Sequence, residues 1–430
     1  MLNTTSRDAV NNATFSQRFV KPLYATYCFS NIPGTIERLL TGATTHALPL
    51  DVLGNLPQRY DKVIFFFIDA FGWRFFERYA DRYPFLKTIL NQGVVSTLTS
   101  QFPSTTAAHT TTINTGLNVG QSGVYEWNYY EPLVDDIITP LLFSYARDRE
   151  RDTLKRSGLP AEAFYPAQTF YQALKAKGVV SHVFMHQAYA HSTFSSVVCR
   201  GAQIVPFRSL SDALNDLSDI VLAHKAKGRD KSGLYYYLYF DRIDALGHQH
   251  GPDSPQFEHE VDAFFQAMEQ IFTRKLRGKV ANTLFLMSAD HGMIDVHPQT
   301  TVYLNKQVAD IERFFQTSAK GKPRVPAGSA RDMFLHVKNE LLDELCASLR
   351  QLLAGKAEVY KTADLLAQHF FSAGEPSTAF LGRVGNLVIL PYQGESVWWY
   401  EPGVFEMRFL GHHGGLTPEE MKIPLLAWAI

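Results

Sequence analysis

Four runs of continuous apolar, aromatic or β-branched residues constrain this chain most: Val63–Ile68, Val180–Met185, Leu234–Phe240 and Thr283–Met287. A strand with one wet face alternates polar and apolar residues. Runs without alternation suit strands covered on both faces, as in parallel sheets. Helix-length stretches lie between and around them, at Glu162–Ala176, Ser209–His224 and Gln256–Lys275. Alternating strands and helices predict an α/β fold, a three-layer α/β/α sandwich around a mostly parallel sheet. At 430 residues the chain exceeds the size at which single cores stop growing, so an insertion or a second domain is expected.

The stretch after Asp295 changes character. Gly321–Gly328 reads as a loop, followed by a strand Met333–Val337, a helix Glu340–Leu353, a strand Ala357–Lys361 and a helix Ala363–Phe371. This predicts a small α+β insertion or cap over 296–385, with a return to the main sheet near Asn386–Leu390. The catalytic core then comprises 1–295 and 386–430.

Composition narrows the functional classes. With 41 basic and 42 acidic residues spread along the chain, nothing marks a nucleic-acid polymer or an anionic membrane as a partner. An anionic substrate must therefore be attracted by local groups or bound metal. Cys28, Cys199 and Cys346 stand far apart, which predicts no disulfide framework and a reducing compartment. The polar N-terminus has no apolar h-region, and no apolar run is long enough to span a membrane. A cytoplasmic location is the expectation; oligomeric state is not legible.

Chemistry-bearing residues gather just after the predicted strands, where open α/β sheets bind ligands. Asp69 follows the first run, in Ile68-Asp69-Ala70-Phe71-Gly72. Phe102-Pro103-Ser104-Thr105-Thr106 opens into a small-residue helix ending at Thr115-Gly116. The free N–H groups and dipole of such a helix start favour phosphate, and a hydroxyl there can act as a nucleophile. Asp244 and His248 are one helical turn apart, ahead of Gly251-Pro252. Asp290-His291-Gly292 follows the fourth run, and His412-His413-Gly414 lies near the C-terminus. Each piece alone has a structural explanation, as a cap, a turn or a packed histidine. Together they supply the donors of a two-metal phosphotransfer site and a hydroxyl nucleophile.

The order and spacing of these clusters resemble the type I phosphodiesterase/nucleotide pyrophosphatase family of the alkaline phosphatase superfamily. The likeness runs from about residue 60 to the end of the chain. The family's nucleophile lies nine residues before the threonine of Thr-Gly, which selects Thr106 over Ser104 and Thr105. The resemblance implies one metal held by Asp244, His248 and His413, and another by Asp69, Asp290, His291 and Thr106. The family's ligand is the histidine directly before glycine, hence His413 rather than His412; His250 is a non-ligand. In the family an asparagine past the nucleophile contacts the phosphoryl oxygens. That register falls on Trp127, so its neighbour Asn128 is the substrate-binding candidate, with a turn asparagine the alternative.

These carry-overs imply an alkaline phosphatase-like fold and a phosphodiesterase or nucleotide pyrophosphatase. Two divalent ions, zinc or else manganese, would serve a phosphothreonyl intermediate on Thr106, with a small phosphate ester of nucleotide-like type as substrate. The competing expectations are a phosphomonoesterase, phosphonate hydrolase or phosphomutase of the same superfamily, and a metal-binding pseudoenzyme. Trp127, Tyr129, Tyr130, Phe71 and Trp73 stand near the clusters and are read either as stacking surfaces or as core.

Overall fold

The computed structural model describes residues 1–43, 46–224 and 233–430. Seven strands form the central sheet: β1 Lys62–Ile68, β2 Val94–Thr99, β3 Val180–His186, β4 Gln203–Phe207, β5 Leu234–Phe240, β6 Thr283–Ser288 and β7 Lys422–Ala429. Their spatial order is β2-β7-β6-β1-β5-β3-β4. Only β7 runs against the others, pairing antiparallel with both β6 and β2. All seven residues of β1, the middle strand, are buried. Burying each of Phe65, Phe66 and Phe67 stabilises the fold by about 1.5–3 kcal/mol relative to exposure. Register sets Ile68 opposite Phe240 and Phe67 opposite Ser288, so residues 69, 241 and 289–291 leave the sheet at one edge. The four strands read from the sequence are all present. Strands β2, β4 and β7 were not anticipated.

Three expected elements are corrected. The helix expected at Glu162–Ala176 begins only at Phe170, because Pro166 precedes a reciprocal cap between Thr169 and Gln172; Ala161–Ala163 is a single 3-10 turn. The helix expected to reach Phe371 stops at Ala367, two residues before His369 takes a left-handed φ of 61°. The strand near Asn386–Leu390 does not return to the main sheet. As Leu387–Pro391 it forms the middle of a separate three-stranded antiparallel sheet, between Met333–Leu335 and Ala357–Lys361. The chain rejoins the main sheet at β7. An apolar run cannot say which of two sheets will bury it.

A second apolar cluster, running from Ile294 to Met407, packs under this smaller sheet. Among the described residues no helix is long and apolar enough to cross a membrane.

Candidate active site

The first donor group grows directly from the sheet edge. Asp69 follows β1, and Asp290 and His291 follow β6. Gly292 and Gly72 touch backbone to backbone: a Cβ on Gly72 would sit 2.4 Å from the Gly292 Cα, and one on Gly292 only 2.0 Å from the Glu419 carbonyl. Glycine is needed at 292 for space. The Asp290 Oδ1 accepts from the Ala70 and His291 amides at 3.1 and 2.9 Å, while its Oδ2 has no hydrogen-bond partner. The His291 Nε2 lies 3.0 Å from Asp290 Oδ2 and 3.5 Å from Asp69 Oδ1.

A helix carries the nucleophile candidate to this group. Helix α1, Thr106–Thr115, starts after a loop that pairs hydroxyls with backbone. The Ser104 hydroxyl donates to the Gly415 carbonyl at 2.8 Å, and that of Thr105 to the Tyr125 carbonyl at 2.9 Å. The Thr106 Oγ1 instead lies 3.4 Å from Asp69 Oδ2 and 3.3 Å from His291 Nε2. Behind the loop, His109 is fully buried. Its Nδ1 meets the Thr105 carbonyl at 2.7 Å, and its Nε2 accepts from the Gln101 amide at 3.0 Å. Burial holds His109 neutral, with a pKa of about 4.

The second donor group combines a helix with the C-terminal region. Helix α2, Arg242–His250, presents Asp244 and His248 on one face, and His413 arrives from the far end of the chain. The His248 and His413 Nε2 atoms stand 3.1 Å apart, and Asp244 Oδ1 lies 3.4 and 3.6 Å from them. Each histidine of the two groups uses Nδ1 on a backbone carbonyl: His248 on Gly411, His413 on Ser104 and His291 on Gly292. A carbonyl cannot donate, so the proton sits on Nδ1 and the Nε2 lone pair faces the group. Burial, then the neighbouring His291 and His248 imidazoles, push His413 well below the ordinary imidazole range.

Two Nε2 lone pairs facing each other would repel, and Asp244 Oδ1 and Asp290 Oδ2 are buried without partners. Two such groups, each with carboxylate and imidazole donors, fit divalent cations of the zinc type. The seven residues singled out from the sequence thus come together as two clusters with Thr106 against the first. His412 and His250 belong to neither group.

Both clusters open on a cavity of about 520 Å³. Of the aromatic residues weighed from sequence, only Trp127, 43% exposed, lines it; Phe71, Trp73, Tyr129 and Tyr130 are core. Asn128 lines the cavity too, but its Oδ1 already accepts from the Thr139 hydroxyl at 2.7 Å. Its amide nitrogen is what it has left for a ligand. Sequence reasoning missed Tyr189, Phe194, Trp398, Phe405 and Phe409 on the walls, and Glu126. It also missed Tyr239, whose hydroxyl donates to Asp69 Oδ2 at 2.5 Å. Tyr239 is the penultimate residue of β5, and that placement was the available signal.

An α/β/α sandwich carrying two carboxylate–imidazole clusters and a helix-start threonine at one sheet edge defines a phosphotransfer-type hydrolase scaffold. The family model for type I phosphodiesterase/nucleotide pyrophosphatase matches residues 63–415, so the chain belongs to that family and is a phosphodiesterase-type hydrolase. Its fold is similar to murine ectonucleotide pyrophosphatase/phosphodiesterase 5, with a TM-score of 0.62 and 18% identity over 85% of this chain and 88% of that one. An inactive threonine-to-alanine variant of the murine protein in complex with AMP matches with a TM-score of 0.61 and 18% identity, over 85% and 87% of the two chains. The human counterpart matches with a TM-score of 0.61 and 16% identity over the same shares. No curated protein matches this chain. These likenesses bear out the alkaline phosphatase-like fold expected from the motifs.

Proposed function

We propose that this chain is a metal-dependent phosphodiesterase or nucleotide pyrophosphatase that works through a phosphothreonyl intermediate on Thr106. The observation that carries this is the Thr106 hydroxyl set against Asp69 and His291, one side of a site whose other side is Asp244, His248 and His413. Asp69, Asp290 and His291 would hold one divalent ion and Asp244, His248 and His413 the other, most simply zinc given the nitrogen and oxygen donors. When bound, the two ions supply positive charge for the attacking and leaving oxygens of an in-line displacement.

The protein's own groups do the rest. The loop 100–105 fixes the Thr106 hydroxyl at the start of α1, where unsatisfied amides favour an anion. Attack by Oγ1 on phosphorus forms the threonyl phosphate and releases the first alcohol or phosphate; water then cleaves that ester and restores the hydroxyl. The Asn128 amide is the candidate donor to a phosphoryl oxygen. Trp127, Tyr189 and Phe194 offer flat surfaces to an aromatic group, which suits a nucleotide-like ligand; the murine relative's inactive variant is in complex with AMP.

The test is hydrolysis of bis-p-nitrophenyl phosphate against p-nitrophenyl phosphate with zinc or manganese supplied. The expected result is a preference for the diester that Thr106→Ala abolishes. A preference for the monoester would move the protein to a phosphatase or mutase chemistry.

A further inference from the structure

The mechanism leaves one pair of buried acids unused. Glu126 (1% exposed) lines the cavity, and Asp332, with no exposed surface, lies within hydrogen-bonding reach of it. The two come from different parts of the chain. Asp332 immediately precedes the small-sheet strand Met333–Leu335, while Glu126 sits in the segment that follows α1. The Gly328 amide donates to the Asn128 carbonyl at 2.7 Å and clamps the two segments together.

The Thr105 hydroxyl bonds the Tyr125 carbonyl, and the next residue along each segment, Thr106 and Glu126, lines the same cavity. The Trp127 amide donates to Glu126 Oε2, and the Ser329 hydroxyl to Asp332 Oδ1 at 2.5 Å. Asp332 Oδ2 has no donor at all.

Two carboxyls this close and this buried do not both ionise readily, so they hold one proton between them and one negative charge. Burial, helped for Asp332 by the Glu126 carboxylate, raises both; Glu126 reaches about 7. The guanidinium of Arg331, the residue before Asp332, is spent on Glu420 and the carbonyls of Pro391 and Tyr392. Among the described residues neither acid forms an ion pair with a lysine or arginine.

We propose that the Glu126–Asp332 pair is a specificity element, holding a single negative charge on the wall of the cavity that contains the nucleophile, where it admits singly charged phosphodiesters and turns away doubly charged monoesters. It rests on the phosphodiesterase function proposed above. A like charge added near a bound anion costs affinity in proportion to the ligand's charge, and a second phosphate charge roughly doubles that cost. The pair is asymmetric, because Glu126 lines the cavity and Asp332 does not. Removing Glu126 therefore takes the charge off the cavity wall, leaving at most a carboxylate on Asp332 behind it. Removing Asp332 leaves the Glu126 carboxylate, and hence the charge, in place.

The experiment compares kcat/KM for bis-p-nitrophenyl phosphate and p-nitrophenyl phosphate at pH 8 in the wild type, Glu126→Gln and Asp332→Asn. Bound metal is counted in each, and inorganic phosphate serves as the competitive probe. Glu126→Gln is expected to lower the diester-to-monoester ratio about tenfold and to tighten phosphate inhibition similarly, while Asp332→Asn moves the ratio by less than about twofold. Glu126→Ser, which removes the same charge, must move the ratio in the same direction. An unchanged ratio in the Glu126 variants with metal retained overturns the proposal. So does a parallel shift in Glu126→Gln and Asp332→Asn, which would mark a structural role, or a further metal ion lost from Glu126→Gln. A wild type that prefers the monoester overturns both this inference and the diesterase function beneath it; a diester-preferring wild type with an unmoved ratio overturns this inference alone.

Discussion

The two donor groups share their chemistry and differ in how they are built. Asp69, Asp290 and His291 hang from adjacent parallel strands, and their side chains are at most 2% exposed. Asp244, His248 and His413 come from a helix and the C-terminal region, with side chains 9–16% exposed. The sheet's ladder fixes the first group. The second closes only when residues 165 positions apart meet, which they do because His248 is tied twice to the arriving chain: Nδ1 to the Gly411 carbonyl and its own carbonyl to the Leu410 amide. A site can thus pair a rigid half, set by backbone register, with a half assembled by tertiary closure.

The sharpest way to break this comparison is through the residue attached to the rigid half. Thr106→Ala should lower diester turnover by roughly 10⁴-fold or more, the loss typical of a removed nucleophile, with fold and bound metal retained. Residual activity close to wild type would remove Thr106 from the chemistry and the functional asymmetry with it.

The next effect concerns stability. Asp290→Ala strands the buried Ala70 and His291 amides and should cost about 2–4 kcal/mol in metal-free protein. Asp244→Ala removes no hydrogen bond and should cost about 1 kcal/mol or less. Denaturation midpoints of the two variants decide it, and equal costs would mean the halves are equally embedded.

Tyr239→Phe is a smaller probe of the same rigidity. Without its hydrogen bond Asp69 loses an orienting partner, and metal affinity or activity should fall about tenfold, as for other outer partners of ligating carboxylates. Metal titration of the first group, set against an unaffected second group, is the measurement.

The smallest effect lies behind the first group. His109 takes its proton only near pH 4 when folded, but near 6.5 when unfolded. Its contribution to stability is present above pH 6.5 and is lost as pH falls toward 4, because the unfolded chain binds the proton first. His109→Gln should flatten that part of the pH profile relative to the wild type, read from denaturation midpoints across pH 4–7.

The legible part of this site lies at strand ends. Asp69, Asp290 and His291 follow unbroken apolar runs, and a run buried on both faces leaves little freedom over where its last residue points. Asp244 and His248 were legible because a helical turn brings residues four apart together. His413 was identified only through its place before glycine, since nothing local links it to α2. The cavity walls were not legible: Trp398, Phe405 and Phe409 look like any apolar residues until folding gathers them around one cavity with Tyr189 and Phe194. The same blindness hid β7, which carries Pro424 inside a central strand, and sent Leu387–Pro391 to the wrong sheet.

The sequence by itself determined an α/β sheet, the edge at which its polar residues gather, and the inventory of donors and hydroxyl there. Local periodicity and strand-end position are properties of neighbouring residues, and a one-dimensional pattern carries them. Only the tertiary structure decided that His413 closes the second group, that Trp127 rather than Tyr129 faces the cavity, and that Glu126 meets Asp332. Those contacts join segments tens to hundreds of residues apart, and their partners are chosen by packing in space rather than by spacing along the chain.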